Sequence, residues 1–323
     1  NLFKTKNIIM KKNLFLLGFM ACSMTMMGQT DQKESWYFKL GGSYFTQTAA
    51  TEFPTVGGNA ALSKVYVGGK LVSEESVTGS FGEGFRTGFT AGYRFNERLG
   101  VEMGVNYYNS TDKTMAQTVS DVPITPAGVY NFKSVGQITA FDLAPALVLF
   151  LGEHKGFEPY TKVGVLVPVH GDLEITSDAN APIAFAPSGA PTAFGKIHSV
   201  DKVKPNPTVG FMSALGTSYK LGKNISAFAE LEYRNFTVHG KTKETTEFTV
   251  NGNDALASRS KAQIHTNYTD KLDINSNNPL FNPNTATPTD SKDTTRPNDA
   301  MDELSSYVGI SGLGLTLGLK YSL

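Results

Sequence analysis

The stretch Leu313-Gly314-Leu315-Thr316-Leu317-Gly318-Leu319-Lys320-Tyr321-Ser322-Leu323 decides the fold. Leu313, Leu315, Leu317, Leu319, Tyr321 and Leu323 fall on one face of an extended chain. Gly314, Thr316, Gly318, Lys320 and Ser322, with Gly312 before them, fall on the other. One apolar face and one small or polar face at a period of two describe a barrel strand whose outside meets lipid.

The same alternation recurs along the chain. It predicts eight strands at about 35–46, 85–96, 99–109, 137–151, 159–170, 207–221, 225–238 and 306–323. In the seventh, Ile225, Ala227, Ala229, Leu231 and Tyr233 oppose Ser226, Phe228, Glu230, Glu232 and Arg234. In the second, Phe85, Phe89, Tyr93 and Phe95 oppose Arg86, Gly88, Thr90, Gly92 and Arg94. Reversing the phase would put each Arg or Lys into hydrocarbon at about 2–4 kcal/mol near the midplane. The charges therefore point inward. The predicted lumen set is Lys39, Arg86, Arg94, Glu102, Asp142, Lys162, Lys220, Glu230, Glu232, Arg234 and Lys320. Eight strands enclose only enough room for side chains, so these residues should form an interlocked polar plug.

Connections alternate in length. Asn96 to Arg98, Gly152 to Gly156 and Gly222 to Asn224 are tight, whereas about 47–84, 110–136, 171–206 and 239–305 are long. Short periplasmic turns and long outer loops follow this rule in membrane barrels. The expectation is thus an all-β fold: an eight-stranded antiparallel up-and-down transmembrane β-barrel with long extracellular loops. Aromatics band near both strand ends, with Trp36, Tyr93, Phe95, Tyr219 and Tyr321 at one and Tyr44, Phe85, Tyr107, Phe211 and Tyr233 at the other. Such bands suit the two membrane interfaces. Pro145 and Pro168 lie inside strands and predict a bulge or break. Val65 to Val72, around Gly68-Gly69, reads as a hairpin; if it spans, the strand number becomes ten.

Composition agrees. The 323 residues are 40% hydrophobic, and past the start no run is long and apolar enough for a membrane helix. Met10-Lys11-Lys12, apolar Leu14 to Ala21 and a polar continuation at Gln29 read as a signal peptide over 1–28, with 1–9 an upstream extension. Residues 29–323 then form one barrel domain. Cleavage after Gly28 removes four lysines (Lys4, Lys6, Lys11, Lys12) and no acid. That leaves 25 basic and 29 acidic side chains, a formal −4, and no basis for nucleic-acid binding. The single cysteine, Cys22, lies in the leader, so lipoprotein processing there is the alternative to cleavage.

Catalysis finds little support. His154 sits in a short turn, His170 and His239 at strand tops, His198 and His265 in long loops, with no Ser and acid grouped around any of them. No paired-Cys metal site or Gly-rich phosphate loop is present, so no catalytic, metal or cofactor residue is assigned. Asp293-Thr294-Thr295 resembles a short O-glycosylation site of exported Bacteroidetes proteins and would place a glycan on Thr294; an ordinary polar turn is the competing reading.

Thr316, Gly318 and Tyr321, with Leu323 as the hydrophobic end, resemble the terminal signal by which outer-membrane barrels are recognised for insertion. Strand number, loop alternation and this terminal strand resemble the small outer-membrane barrel superfamily, the OmpA N-terminal barrel and its OmpX-like relatives, in a Bacteroidetes-type form. The resemblance covers about 35–323 and is architectural. It implies an outer-membrane location in a Gram-negative cell, with outer-membrane lipid, lipopolysaccharide and the barrel-assembly machinery as partners. It also implies a non-enzymatic structural or surface-display role, with loops offered to an extracellular partner. OmpA's soluble peptidoglycan-binding domain is not carried over. An OmpW-like transporter of small hydrophobic molecules is the second expectation and a lipid A-modifying enzyme the third.

Overall fold

A computed structural model describes residues 35–123, 128–206, 208–280 and 296–323. The leader, Cys22 and Thr294 lie outside the described residues.

The ladder begins with β1 (Ser35–Gln47), β2 (Gly84–Arg94) and β3 (Leu99–Ser110). It continues through β4 (Asn131–Phe150), β5 (Phe157–Phe185) and β6 (Gly210–Lys220), then β7 (Ile225–Asn235) and β8 (Gly312–Ser322). Each pairs antiparallel with the next. β8 returns to β1 with Leu40 opposite Leu319 and Ser43 opposite Thr316, so the ring has no free edge. Period two is what closes it. Along β3, odd-numbered Val101, Met103 and Val105 stand outside, while even-numbered Glu102, Asn106 and Tyr108 are buried. Leu40, Phe85 and Leu215 are each about two-thirds exposed, at 66%, 66% and 65%. An apolar outer face of this kind asks for hydrocarbon rather than water.

Outward aromatics pair across neighbouring strands at two levels. Trp36 meets Tyr93 at 5.0 Å and Phe157 meets Tyr219 at 4.6 Å near the short turns. Tyr44 meets Phe85 at 4.9 Å and Tyr107 meets Phe141 at 5.0 Å toward the other end.

Beyond the ring the chain departs from the sequence reading. Among the described residues the main sheet has 17 strands rather than eight, because the long connections are themselves β. β4 and β5 run on past the ring for 20 and 29 residues in all. Residues 171–206, expected as a loop, continue β5 and turn back as Pro191–Asn206, which pairs with Thr237–Val250. The expected 239–305 loop holds that strand, His265–Thr269 and Met301–Leu304. Two ladders are parallel, against an all-antiparallel expectation: Leu62–Val67 on Lys113–Ser120, and His265–Thr269 on Met301–Leu304. The first joins strands from two different connections and the second joins strands more than 30 residues apart within one, so in neither does a tight turn dictate an antiparallel return. The Gly68-Gly69 hairpin forms, both glycines at positive φ (60° and 76°), and lies outside the ring.

Both prolines disturb pairing. Pro145 stays opposite Met103 on β3, but the β4–β5 ladder is interrupted between Gly164–Ala146 and Val167–Leu143. After Pro168 the register shifts by one residue. A residue without an N–H cannot donate to a ladder, and the wall yields there.

Candidate functional site

The alternation that presents leucine outward sends charge inward, and the inward side chains meet across the lumen in three levels. Nearest the short turns, Arg94 and Lys320 hold Glu158 at 2.5 and 3.2 Å. Above them Lys39 lies 2.6 Å from Glu102 and 2.9 Å from Glu230, and Lys162 lies 2.6 Å from Glu230 and 3.5 Å from Glu102. The Tyr37 hydroxyl donates to Glu102 at 3.1 Å and the Tyr160 hydroxyl to Glu230 at 2.8 Å. Higher still, Arg86 grips Glu232 through two 2.7 Å hydrogen bonds and also donates to Ser43 and Thr316 at 3.2 Å. Arg234 reaches Asp142 at 2.6 Å, and Asn106 donates to the same carboxylate at 2.7 Å.

Six cations thus face five carboxylates. The remaining positive charge meets aromatic faces: Lys39 lies 4.3 Å from the Tyr160 ring centre and Lys320 4.8 Å from that of Tyr37. Among these groups about 30 Å³ stays empty, room for a water or so. Two glycines admit the tyrosine and phenylalanine rings. A Cβ on Gly216 would stand 2.6 Å from the Tyr160 ring, and one on Gly318 would stand 2.2 Å from the Leu40 carbonyl and 2.6 Å from Phe228.

Ten of the eleven predicted lumen residues enter this network. Lys220 does not: it is exposed at the end of β6. Its parity is right, but the strand has by then passed below the packed levels. Sequence reading missed Glu158, Tyr37 and Tyr160. Tyr37 shares its parity with Lys39 and Tyr160 with Lys162, which was the available signal. Glu158 was hidden because Pro159 was taken as the strand's first residue. Of the terminal-signal residues, Thr316 is buried against Ser43 at 2.7 Å, Gly318 abuts β1, and Tyr321 and Leu323 face outward.

Above the charges the interior turns apolar, with Phe81, Met115, Leu166, Met212, Val308 and Ile310 in one buried cluster. This chamber reaches the wall beside the bulge. A cavity of about 340 Å³ there is bounded by Pro168 to Leu173 of β5, Val203 to Asn206, and Val238 to Lys241. At its margin His239 packs against Tyr307 with ring centres 5.2 Å apart. Among the described residues no serine or threonine lines it. His198 binds Asp178 at 2.8 Å on the outer sheet. No three His, Cys, Asp or Glu side chains converge on a metal position among the described residues.

At the junction of ring and outer sheet, Lys113 lies 2.5 Å from Glu83 and Tyr44 donates to it at 2.9 Å. The lysine first, then the phenol, hold the Glu83 carboxyl below the ordinary carboxylate range. In the outer sheet burial pushes the Tyr268 phenol up.

Residues 17–254 match the sequence model of a family described as "Outer membrane protein beta-barrel domain". No curated protein matches the chain in sequence. Among solved structures, OprG from Pseudomonas aeruginosa is similar over 90% of this chain and 97% of its own, at 11% identity and a TM-score of 0.41. Ail, the attachment invasion locus protein of Yersinia pestis, solved with the heparin analogue sucrose octasulfate, is also similar. It matches over 90% of this chain and 100% of its own, at 9% identity and a TM-score of 0.29.

Proposed function

We propose, from the premise that this chain belongs to the outer membrane protein β-barrel family, that the ring β1 to β8 is an eight-stranded transmembrane barrel with a structural and surface-display role. It is exported by removal of 1–28, inserted by the barrel-assembly machinery through the terminal strand, and seated among outer-membrane lipid and lipopolysaccharide. It performs no chemistry of its own. The outer sheet built from the described residues of 47–84, 110–136, 171–206 and 239–305 is the surface offered to an extracellular partner, since working residues gather on connections held by a rigid scaffold.

One observation carries this reading: the paired charges leave about 30 Å³ of the lower lumen empty, and a hydrated ion needs a continuous wet path. The test is the conductance of the refolded chain in a planar bilayer, after a gel has shown heat-modifiable mobility. A folded, silent barrel is expected. Reproducible current steps would overturn the plug.

A second reading is favoured by the apolar chamber and the gap beside Pro168: sideways passage of small hydrophobic molecules, as in OmpW-type barrels. Faster uptake of such a molecule by cells carrying the intact protein than by cells lacking it supports this reading, and equal uptake removes it.

A further inference from the structure

The wall opening has a specific geometry. β5 pairs with β6 as far as Leu166 opposite Gly210, and with Pro191–Asn206 only from Leu173 opposite Val203. Between them, residues 167–172 have no ladder partner on that side. On the other side the register with β4 shifts at the same place. An unpaired strand edge is not stable facing hydrocarbon unless something satisfies it. Here the opening leads into the 340 Å³ cavity, whose body is apolar: Ile138, Leu173, Val203, Val238, Val308 and Ile310. Outside, Val163, Val165 and Val169 stand exposed in one row, so the mouth joins the lipid-facing surface.

Polar groups at the cavity are few and incomplete. Among the described residues, four buried side-chain polar atoms find no hydrogen-bond partner. Two of them, Asp172 Oδ1 and His239 Nδ1, belong to residues that line this one cavity. Buried polar atoms without partners are uncommon and call for an explanation. Lys204 and Lys241 also border the space.

We propose that this cavity binds a small amphiphile from the lipid side, an alkyl or aromatic body carrying one uncharged hydroxyl head. The body fills the apolar space, and the hydroxyl donates to Asp172 Oδ1 and completes His239 Nδ1. A carboxylate head would meet Asp172 with like charge, and an ammonium head would meet Lys204 and Lys241. A hydrocarbon without a head would leave both atoms unsatisfied, which such sites discriminate against strongly. The proposal rests on the second reading above for the location of the site, but binding is measured separately from passage.

The experiment uses the full mature chain, isoleucine-methyl labelled, in phosphatidylcholine nanodiscs, titrated with 1-decanol and separately with decane. Ile138 and Ile310 line the cavity and Ile225 stands on the outer face at the far end of the ring. With 1-decanol, the Ile138 and Ile310 methyl signals should move saturably while Ile225 stays. Decane should bind at least about tenfold more weakly, the order of one hydrogen bond to a charged group. His239→Phe and Asp172→Asn keep size and shape, and each should weaken decanol about tenfold without changing decane. Heat-modifiable mobility verifies that each variant is folded. Equal movement of all three isoleucines, equal affinity for alcohol and alkane, or unchanged affinity in both variants would each overturn the site. Saturable binding with no uptake in cells keeps the site and removes the transport reading.

Discussion

Arg86 and Glu232 meet through two parallel 2.7 Å hydrogen bonds although they come from β2 and β7, strands that do not touch in the ladder. The contact crosses the lumen, and Glu232 is fully buried. Two charges in that position are tolerable only together. Arg86→Ala should destabilise the barrel by about 3–5 kcal/mol, because Glu232 keeps its desolvation cost and loses its main partner. Arg86→Met with Glu232→Leu should recover most of that loss. The measurement is the urea dependence of the heat-modifiable gel form in lipid vesicles.

Gly318 separates fit from recognition. A Cβ there would lie 2.2 Å from the Leu40 carbonyl, so Gly318→Ala must push β8 away from β1. It should lower spontaneous refolding into vesicles, where no assembly machinery is present, and cost about 1–3 kcal/mol in the folded form. Normal refolding with reduced surface levels in cells would instead assign Gly318 to the insertion signal.

Acid should loosen the junction between ring and outer sheet before the ring itself. The Glu83 carboxyl is held below its ordinary value by Lys113 and Tyr44. A depressed carboxylate adds stability above its unfolded pKa and loses it as pH falls through the folded one. The pair is partly open to solvent, so the effect is a fraction of a kcal/mol, within the ~0–1 kcal/mol of such bridges. Protection of the Thr111 amide, bonded to the Glu83 carbonyl, should fall as pH drops below the ordinary carboxylate range. Glu83→Gln should show the lowered protection already at neutral pH and flatten that dependence.

Orientation is testable because the sequence has one cysteine, Cys22. With Cys22 replaced by serine, a cysteine at Lys70 in the outer hairpin should react with an impermeant maleimide on intact cells. A cysteine at Asn96 or Lys223, in the short turns, should react only after the envelope is opened. The reverse pattern would invert the proposed topology.

The ring was legible because each strand carries its own evidence. In β7 the inward positions Glu230, Glu232 and Arg234 and the outward Leu231 follow from parity alone. What parity cannot give is the partner across the lumen, which depends on stagger between strands far apart in sequence. That is why Lys220, correct in phase, lies beyond the packed levels; Glu158 escaped only because the strand begins at Phe157, two residues before the expected start. The outer sheet was missed for a different reason. Glu174, Asp178, Lys196, Lys202 and Lys204 all fall on even positions, against buried Leu173, Ile175 and Val203 on odd ones. The alternation therefore continues past the ring, but Pro182, Pro187, Pro191 and the Gly189 among them read as a loop. The cavity was half legible: Pro168 marked the bulge, but nothing local said that Asp172 and His239 would border one space.

β5 has 29 residues, roughly 95 Å of chain at the usual rise per residue. Crossing the hydrocarbon takes only about 9–11 of them. The remainder stands beyond the ring as a mast, held by β4 along one flank and, on the other, by Pro191–Asn206 only from Leu173 outward, so the stretch just past Pro168 is anchored on a single flank.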